Sequence, residues 1–115
     1  MGDAMILANF INGRWTPSSA TAHLDVTNPA RGEVIARTPL SPAKDVDAAV
    51  RAASGAFPGW SETPPVLRAR TMFRFRQLLE DHFEELARLV TTEHGKTLDE
   101  SRGSVRRAIV SGHAC

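Results

Sequence analysis

The sequence predicts a few antiparallel strands followed by three amphipathic helices, and three observations carry that prediction. An apolar stripe runs through residues 65–95, with Met72, Phe75, Leu79, Phe83, Leu86 and Val90 at steps of three and four, the spacing of one helix face. Two further stretches, about 42–57 and 98–115, repeat that periodicity behind start signals of their own. Ahead of them, residues 6–38 alternate between apolar and polar and are punctuated by Asn12-Gly13 and Asn28-Pro29, as short strands joined by turns would be.

Taken in order, Phe10-Ile11 and Arg14-Trp15 flank Asn12-Gly13, the pair a tight type I′ hairpin favours because both central residues need positive φ. Pro17 to Ala22 is small and polar, hence a surface connection. Leu24 and Val26 alternate with polar neighbours, residues 28–32 turn the chain, and Val34, Ile35 and Ala36 resume a strand that ends by Pro39. Ser41-Pro42 has the form of a helix cap followed by proline in the first turn. Val46, Ala49, Val50, Ala53 and Phe57 make the stripe behind it, Gly55 weakens it, and Pro58-Gly59 should end the helix near 57. Trp60 then falls in a linker, where its ring would plug the joint between two helices.

Thr63 is the expected cap of the long helix, about 64–94, with Pro64 and Pro65 in its first turn. Leu78, Ala87 and Leu89 widen its stripe, while Arg76 with Glu80 and Glu84 with Arg88 stand at pairing distance along it. Gly95 suits a left-handed stop. Thr97-Leu98-Asp99-Glu100 matches a capping box, and Leu98, Ser101, Val105 and Ile109 share a face of the helix that follows. Gly103 and Gly112 inside it cost about 1 kcal/mol each relative to alanine and suit close backbone contact.

The bulk numbers exclude more than they specify. The chain has 115 residues, 42% hydrophobic and 23% charged, the make-up of one globular domain rather than a disordered segment. Fourteen basic against 13 acidic residues leave a net charge of +1, so nothing draws the chain as a whole to nucleic acid or to an anionic membrane. No apolar run could span a bilayer. MGDAMILANF lacks the basic and apolar regions of a signal peptide, and one cysteine makes no disulfide framework. The cytosol is the expected compartment.

Chemistry-bearing residues are sparse. No glycine-rich phosphate loop, C-x-x-C or H-E-x-x-H occurs. His82 falls on the inner side of the long helix and reads as a hydrogen-bonded core residue. His113 and Cys115 supply two ligands where zinc wants three or four, so no metal is expected. Helical spacing also points those two side chains apart, so Cys115 reads as an unreactive thiol rather than a nucleophile. Glu80, Asp81, Glu84 and Glu85 read as a solvated face. Arg68, Arg70, Arg74 and Arg76, interleaved with Phe73 and Phe75, spread around the helix instead of forming the stripe a nucleic acid would need. One of Arg106 and Arg107 could aim inward as a carboxylate clamp, although by spacing alone both read as surface residues.

The exact words add a resemblance. FINGRW, VTNPARGEVIARTPLS, DVDAAVRAASGAFPGW and TEHGKTLDESRGSV, in that order from about Asn9 to Cys115, resemble the amino-terminal segment of the aldehyde dehydrogenase superfamily. The block from Gly103 through Arg107 to Cys115 is most similar to the CoA-acylating methylmalonate-semialdehyde dehydrogenases. The resemblance implies an α/β fold with a Rossmann-like NAD-binding domain, of which residues 1–115 would be the opening part, with the catalytic domain absent. It implies NAD and coenzyme A as cofactors, a malonate or methylmalonate semialdehyde as substrate, an acyl-CoA made through a cysteine thioester, and a homo-oligomer, dimer or tetramer, in the cytosol, with no nucleic-acid or membrane partner. Arg107 matches the arginine implicated there in holding the substrate carboxylate. Glu93 to Lys96 matches a structural link between helices, and Ser104 and Gly112 stand where relatives often carry acidic residues. Cys115 is not the family's nucleophile. No catalytic or cofactor-binding residue is expected in this chain, which alone would be inactive. The competing expectations are a stand-alone helical interaction module and a piece of a generic NAD(P)-dependent aldehyde dehydrogenase.

Overall fold

The computed structural model describes residues 4–111, which fall into two compact units: the chain through Thr27 with Gly32–Glu62, and Asn28–Arg31 with the chain from Thr63 onward. Gly112, His113 and Cys115 lie outside the described residues.

The first unit holds strands β1 (Met5–Ile6), β2 (Asn9–Ile11), β3 (Arg14–Thr16), β4 (His23–Asn28) and β5 (Glu33–Pro39), then helix α1 (Ala43–Glu62). Strands β2 and β3 form the expected hairpin, with Phe10 opposite Trp15 and their rings 5.0 Å apart. Asn12 and Gly13 take φ of 52° and 72°, as the tight turn requires. The other sheet runs β1-β5-β4. Its β1–β5 pairing is parallel, Met5 against Ala36, which corrects the expectation of an all-antiparallel set. The hairpin and β4 separate the two strands in sequence, and that length of chain lets β5 return in the same direction as β1.

Ser41 does not cap α1. Its hydroxyl exchanges hydrogen bonds with the Asn9 side chain, at 2.9 and 3.2 Å. The start of α1 is instead tied to residues 18–19. The Asp45 carboxylate accepts from the Ser18 hydroxyl and from the Ser19 amide and hydroxyl, at 2.5, 3.1 and 2.9 Å, and the Ser18 bond leads in holding its pKa below the ordinary value. Helix α1 also runs past its expected end near 57, carrying Pro58 and Gly59 inside it to Glu62. A proline so near the C-terminus removes only one late intrahelical bond, and Ser61 Oγ donates to the Pro58 carbonyl at 2.8 Å. Trp60 therefore rides on the helix, partly exposed, and plugs no linker.

The second unit is built from α2 (Pro65–Asp81), α3 (Phe83–His94) and α4 (Leu98–Ser111). The long helix expected over 64–94 is thus two helices. They break at His82, whose backbone (φ −103°, ψ 17°) sits near the bridge region. His82 is exposed, with Nδ1 2.8 Å from Glu85 Oε2, and is not the core histidine that an unbroken helix implies. The residue at the N-cap of α2 is Pro64, not Thr63, with no side-chain cap. Gly95 ends α3 at φ 83°, its amide bonded to the Thr91 carbonyl, as expected. The capping box of α4 is formed, with Thr97 N to Glu100 Oε2 at 3.2 Å and Glu100 N to Thr97 Oγ1 at 3.3 Å.

The core lies where α3 and α4 cross. Ala87, Val105 and Ile109 are buried there, with Leu79, Phe83, Leu86, Val90 and Leu98 packed around them. Phe75, Leu78 and Leu89, assigned to the same stripe by spacing, are exposed, while Leu79, Phe83, Leu86 and Val90 stay against the core. Buried Ser101 joins this core through Thr91, Oγ1 to Oγ 2.8 Å. The pairings along the long helix also change partner across the unit: Glu80 binds Arg106 rather than Arg76, and Glu84 binds Arg102 rather than Arg88.

Candidate functional site

Helix α4 buries one edge, and that decides which of its arginines is available. With Ser101, Val105 and Ile109 turned into the core, the intervening positions project outward at 100° steps. Arg102 is taken up by Glu84 and Asp99, at 2.7 and 2.8 Å. The hydrogen bond from Arg102 leads the lowering of the Glu84 pKa, and the same bond leads the raising of that of Arg102. Arg106 pairs with Glu80 at 3.1 Å and lies over the Phe83 ring, 4.5 Å from its centroid. This is a structural placement, in which the guanidinium covers an aromatic edge of the core.

Arg107 has a different setting. Its Nη2 donates to Ser104 Oγ at 3.1 Å, and its guanidinium passes over Gly103, where an added Cβ would meet Nη1 at 3.6 Å. The glycine therefore faces a side chain of its own helix rather than a neighbouring backbone, which corrects the reading from spacing. Lys96, from the link between α3 and α4, donates to the same Ser104 oxygen at 2.8 Å. Around them opens a cavity of about 510 Å³ lined by His94, Lys96, Glu100, Gly103 and Arg107. Its one acidic residue, Glu100, directs Oε2 at the amide and hydroxyl of Thr97.

The arrangement can bind an anion, and a guanidinium in particular offers a carboxylate two parallel donors. Sequence reasoning singled out Arg107 but not the Lys96 and Ser104 side chains that the structure brings beside it. The i, i+3 spacing of Ser104 and Arg107 was available as a signal. The approach of Lys96 depends on how α3 and α4 cross, which no local pattern encodes.

Among the described residues no glycine-rich phosphate loop stands at a strand-to-helix junction. The strand-to-helix junction β5–α1 carries Leu40-Ser41-Pro42 and no glycine, and the glycines at positive φ, Gly13, Gly32 and Gly95, lie in turns or at a helix end. A phosphate-binding loop needs glycine at the start of a helix that follows a strand. Among the described residues no group of three or more His, Cys, Asp or Glu is placed to hold a metal ion, and no helix is long and apolar enough to cross a membrane.

The aldehyde dehydrogenase family model matches residues 15–113. This chain belongs to the aldehyde dehydrogenase family. It is 50% identical over 107 residues to malonate-semialdehyde dehydrogenase 1 of Geobacillus kaustophilus, which covers 93% of this chain and 22% of that protein. The Bacillus pumilus malonate-semialdehyde dehydrogenase is 48% identical over the same shares. Among solved structures, a Sinorhizobium meliloti protein assigned as a methylmalonate-semialdehyde dehydrogenase and crystallised with NAD superposes with a TM-score of 0.93 at 35% identity, over 98% of this chain and 23% of that one. The methylmalonate-semialdehyde dehydrogenase of Oceanimonas doudoroffii gives 0.91 at 40% identity, over 96% and 22%. The chain thus spans about a fifth of the length of the relatives it matches. The fold is the aldehyde dehydrogenase fold, represented here by its strands and four helices.

Proposed function

We propose that this chain supplies the amino-terminal part of the NAD-binding domain of an NAD-dependent, CoA-acylating malonate- or methylmalonate-semialdehyde dehydrogenase, and that Arg107 holds the carboxylate of its substrate. Malonate and methylmalonate semialdehydes carry a carboxylate that simple aldehydes lack, and discrimination between the two classes needs a cation aimed at that end. The observation that carries the reading is the contrast between the two neighbouring arginines. Arg106 is tied to Glu80 and Phe83, whereas Arg107 meets only a hydroxyl among the described hydrogen bonds and faces a cavity. Close similarity to malonate-semialdehyde dehydrogenases along almost the whole chain supports the same substrate class.

The role assigned to these residues is confined to the carboxylate end of the substrate. Oxidation with NAD and transfer of the acyl group to coenzyme A belong to the enzyme as a whole, in a cytosolic homo-oligomer. The test is to isolate the native protein with an antibody against residues 61–70 and follow NADH formation. Malonate semialdehyde should be oxidised with CoA required for turnover, and Arg107→Gln should raise KM about tenfold or more, the loss expected for a charge-assisted hydrogen bond. The isolated 115-residue chain should form no NADH. Failure of the native protein to oxidise the semialdehyde, or an unchanged KM in Arg107→Gln, refutes the assignment.

A further inference from the structure

We infer that Lys96 is a second cationic contact for the substrate carboxylate and that Ser104 is the positioning residue that presents Lys96 and Arg107 together. This inference rests on the reading of Arg107 given above. A serine hydroxyl has one hydrogen to donate and two lone pairs with which to accept, and Ser104 uses all three. It donates to the Glu100 carbonyl at 3.2 Å and accepts from Lys96 Nζ at 2.8 Å and Arg107 Nη2 at 3.1 Å. A neutral oxygen thereby fixes the position of two cations without neutralising either.

The remaining charges around the cavity do not neutralise them. Glu100 is turned to the Thr97 amide and hydroxyl, and Glu80 and Glu84 are bound to Arg106 and Arg102. No ion pair of Lys96 or Arg107 with a carboxylate is formed among the described residues. Two like charges drawn to one point repel each other, and an anion entering between them relieves that repulsion while receiving hydrogen bonds from both sides. The cavity beside them is large enough for a three- or four-carbon acid. A carboxylate is the fitting ligand because the guanidinium supplies a planar fork and the ammonium a point charge that can approach one of its oxygens.

The serine is the sensitive element. An alanine at 104 would remove the oxygen on which Lys96 and Arg107 converge and release each of them from the other. A methionine at 96 would keep most of the lysine's apolar stem and remove only the charge. Both changes should therefore act on recognition of the carboxylate rather than on aldehyde oxidation as such.

The test uses the native protein, purified from its own cells after Lys96→Met, Lys96→Arg and Ser104→Ala are introduced in the gene. For each, kcat/KM is measured for malonate semialdehyde and for propanal, and their ratio is taken, so that any loss of folded enzyme cancels. The ratio should fall about tenfold in Lys96→Met and in Ser104→Ala, through KM rather than kcat, as loss of one charge-assisted contact implies. It should be retained in Lys96→Arg. An unchanged ratio in Lys96→Met or in Ser104→Ala overturns the inference about Lys96 and Ser104 while leaving Arg107 in its role. A wild-type protein with no preference for malonate semialdehyde over propanal overturns the substrate assignment itself, and this inference with it.

Discussion

Replacing Gly95 with alanine should destabilise the second unit by two separable routes. Gly95 ends α3 at φ 83°, and a left-handed backbone costs a residue with a Cβ about 1–2 kcal/mol. The added Cβ would also stand 2.8 Å from Pro29 Cγ and 3.6 Å from Pro29 Cβ. The pyrrolidine ring cannot swing aside as a flexible side chain would, so the turn carrying Pro29 has to shift, at an overpacking cost of about 1–3 kcal/mol. Together these predict a loss of about 2–5 kcal/mol, measured as the change in unfolding free energy from urea titrations followed by circular dichroism. Two further variants divide the effect. Gly95→Asn keeps the clash but tolerates the left-handed backbone better, so it should cost less than alanine. Pro29→Ala removes Cγ, so the double variant with Gly95→Ala should be more stable than the sum of the single effects, by about 1 kcal/mol or more. Strict additivity in that cycle would show that Pro29 does not touch position 95, and a neutral Gly95→Ala would refute the left-handed assignment as well.

Three other outcomes follow from the same packing. Ile109, 2% exposed at the crossing of α3 and α4, should cost about 2–5 kcal/mol when cut to alanine, read from the same urea titration. Ser101→Ala should cost about 1–3 kcal/mol because it leaves the Thr91 hydroxyl without its partner; adding Thr91→Val should recover part of that loss. Glu84 has a folded pKa below its ordinary value near 4.5 because Arg102 binds its carboxylate. Its contribution is therefore complete above the unfolded pKa and is lost as pH falls through the folded one. The stability gap between wild type and Glu84→Gln should accordingly be widest near neutral pH and close in the acid range below 4.5, as unfolding midpoints measured across that range would show.

The elements legible in the sequence are those whose determinants are local. Asn12-Gly13 needs only its own backbone to make a hairpin, Thr97 and Glu100 cap α4 within one turn, and Gly95 stops α3 by its own φ. Where sequence reasoning failed, a more distant partner had intervened. Ser41 has the chemistry of a cap, but Asn9, far back in the chain, holds its hydroxyl. Arg76 and Glu80 have ideal helical spacing, yet Glu80 turns to Arg106 on another helix, since a guanidinium over Phe83 gains more than an exposed pair along one helix, worth about 0.3–0.5 kcal/mol. His82 was misjudged because an unbroken period was assumed across it. Of the stripe expected across it, Leu79, Phe83, Leu86 and Val90 still pack against the core that includes Ala87, while Phe75 and Leu78 stand exposed.

The same distinction explains the two adjacent arginines. Periodicity places both outward and cannot rank them, because both follow Val105 on the same turn of α4. What separates them is the acid each can reach. Arg106 has one on α2, and Arg107 has Ser104 on its own helix with Lys96 arriving at the same oxygen. An arginine beside an acid is neutralised within the fold and serves stability. An arginine held by a hydroxyl keeps its charge for a ligand.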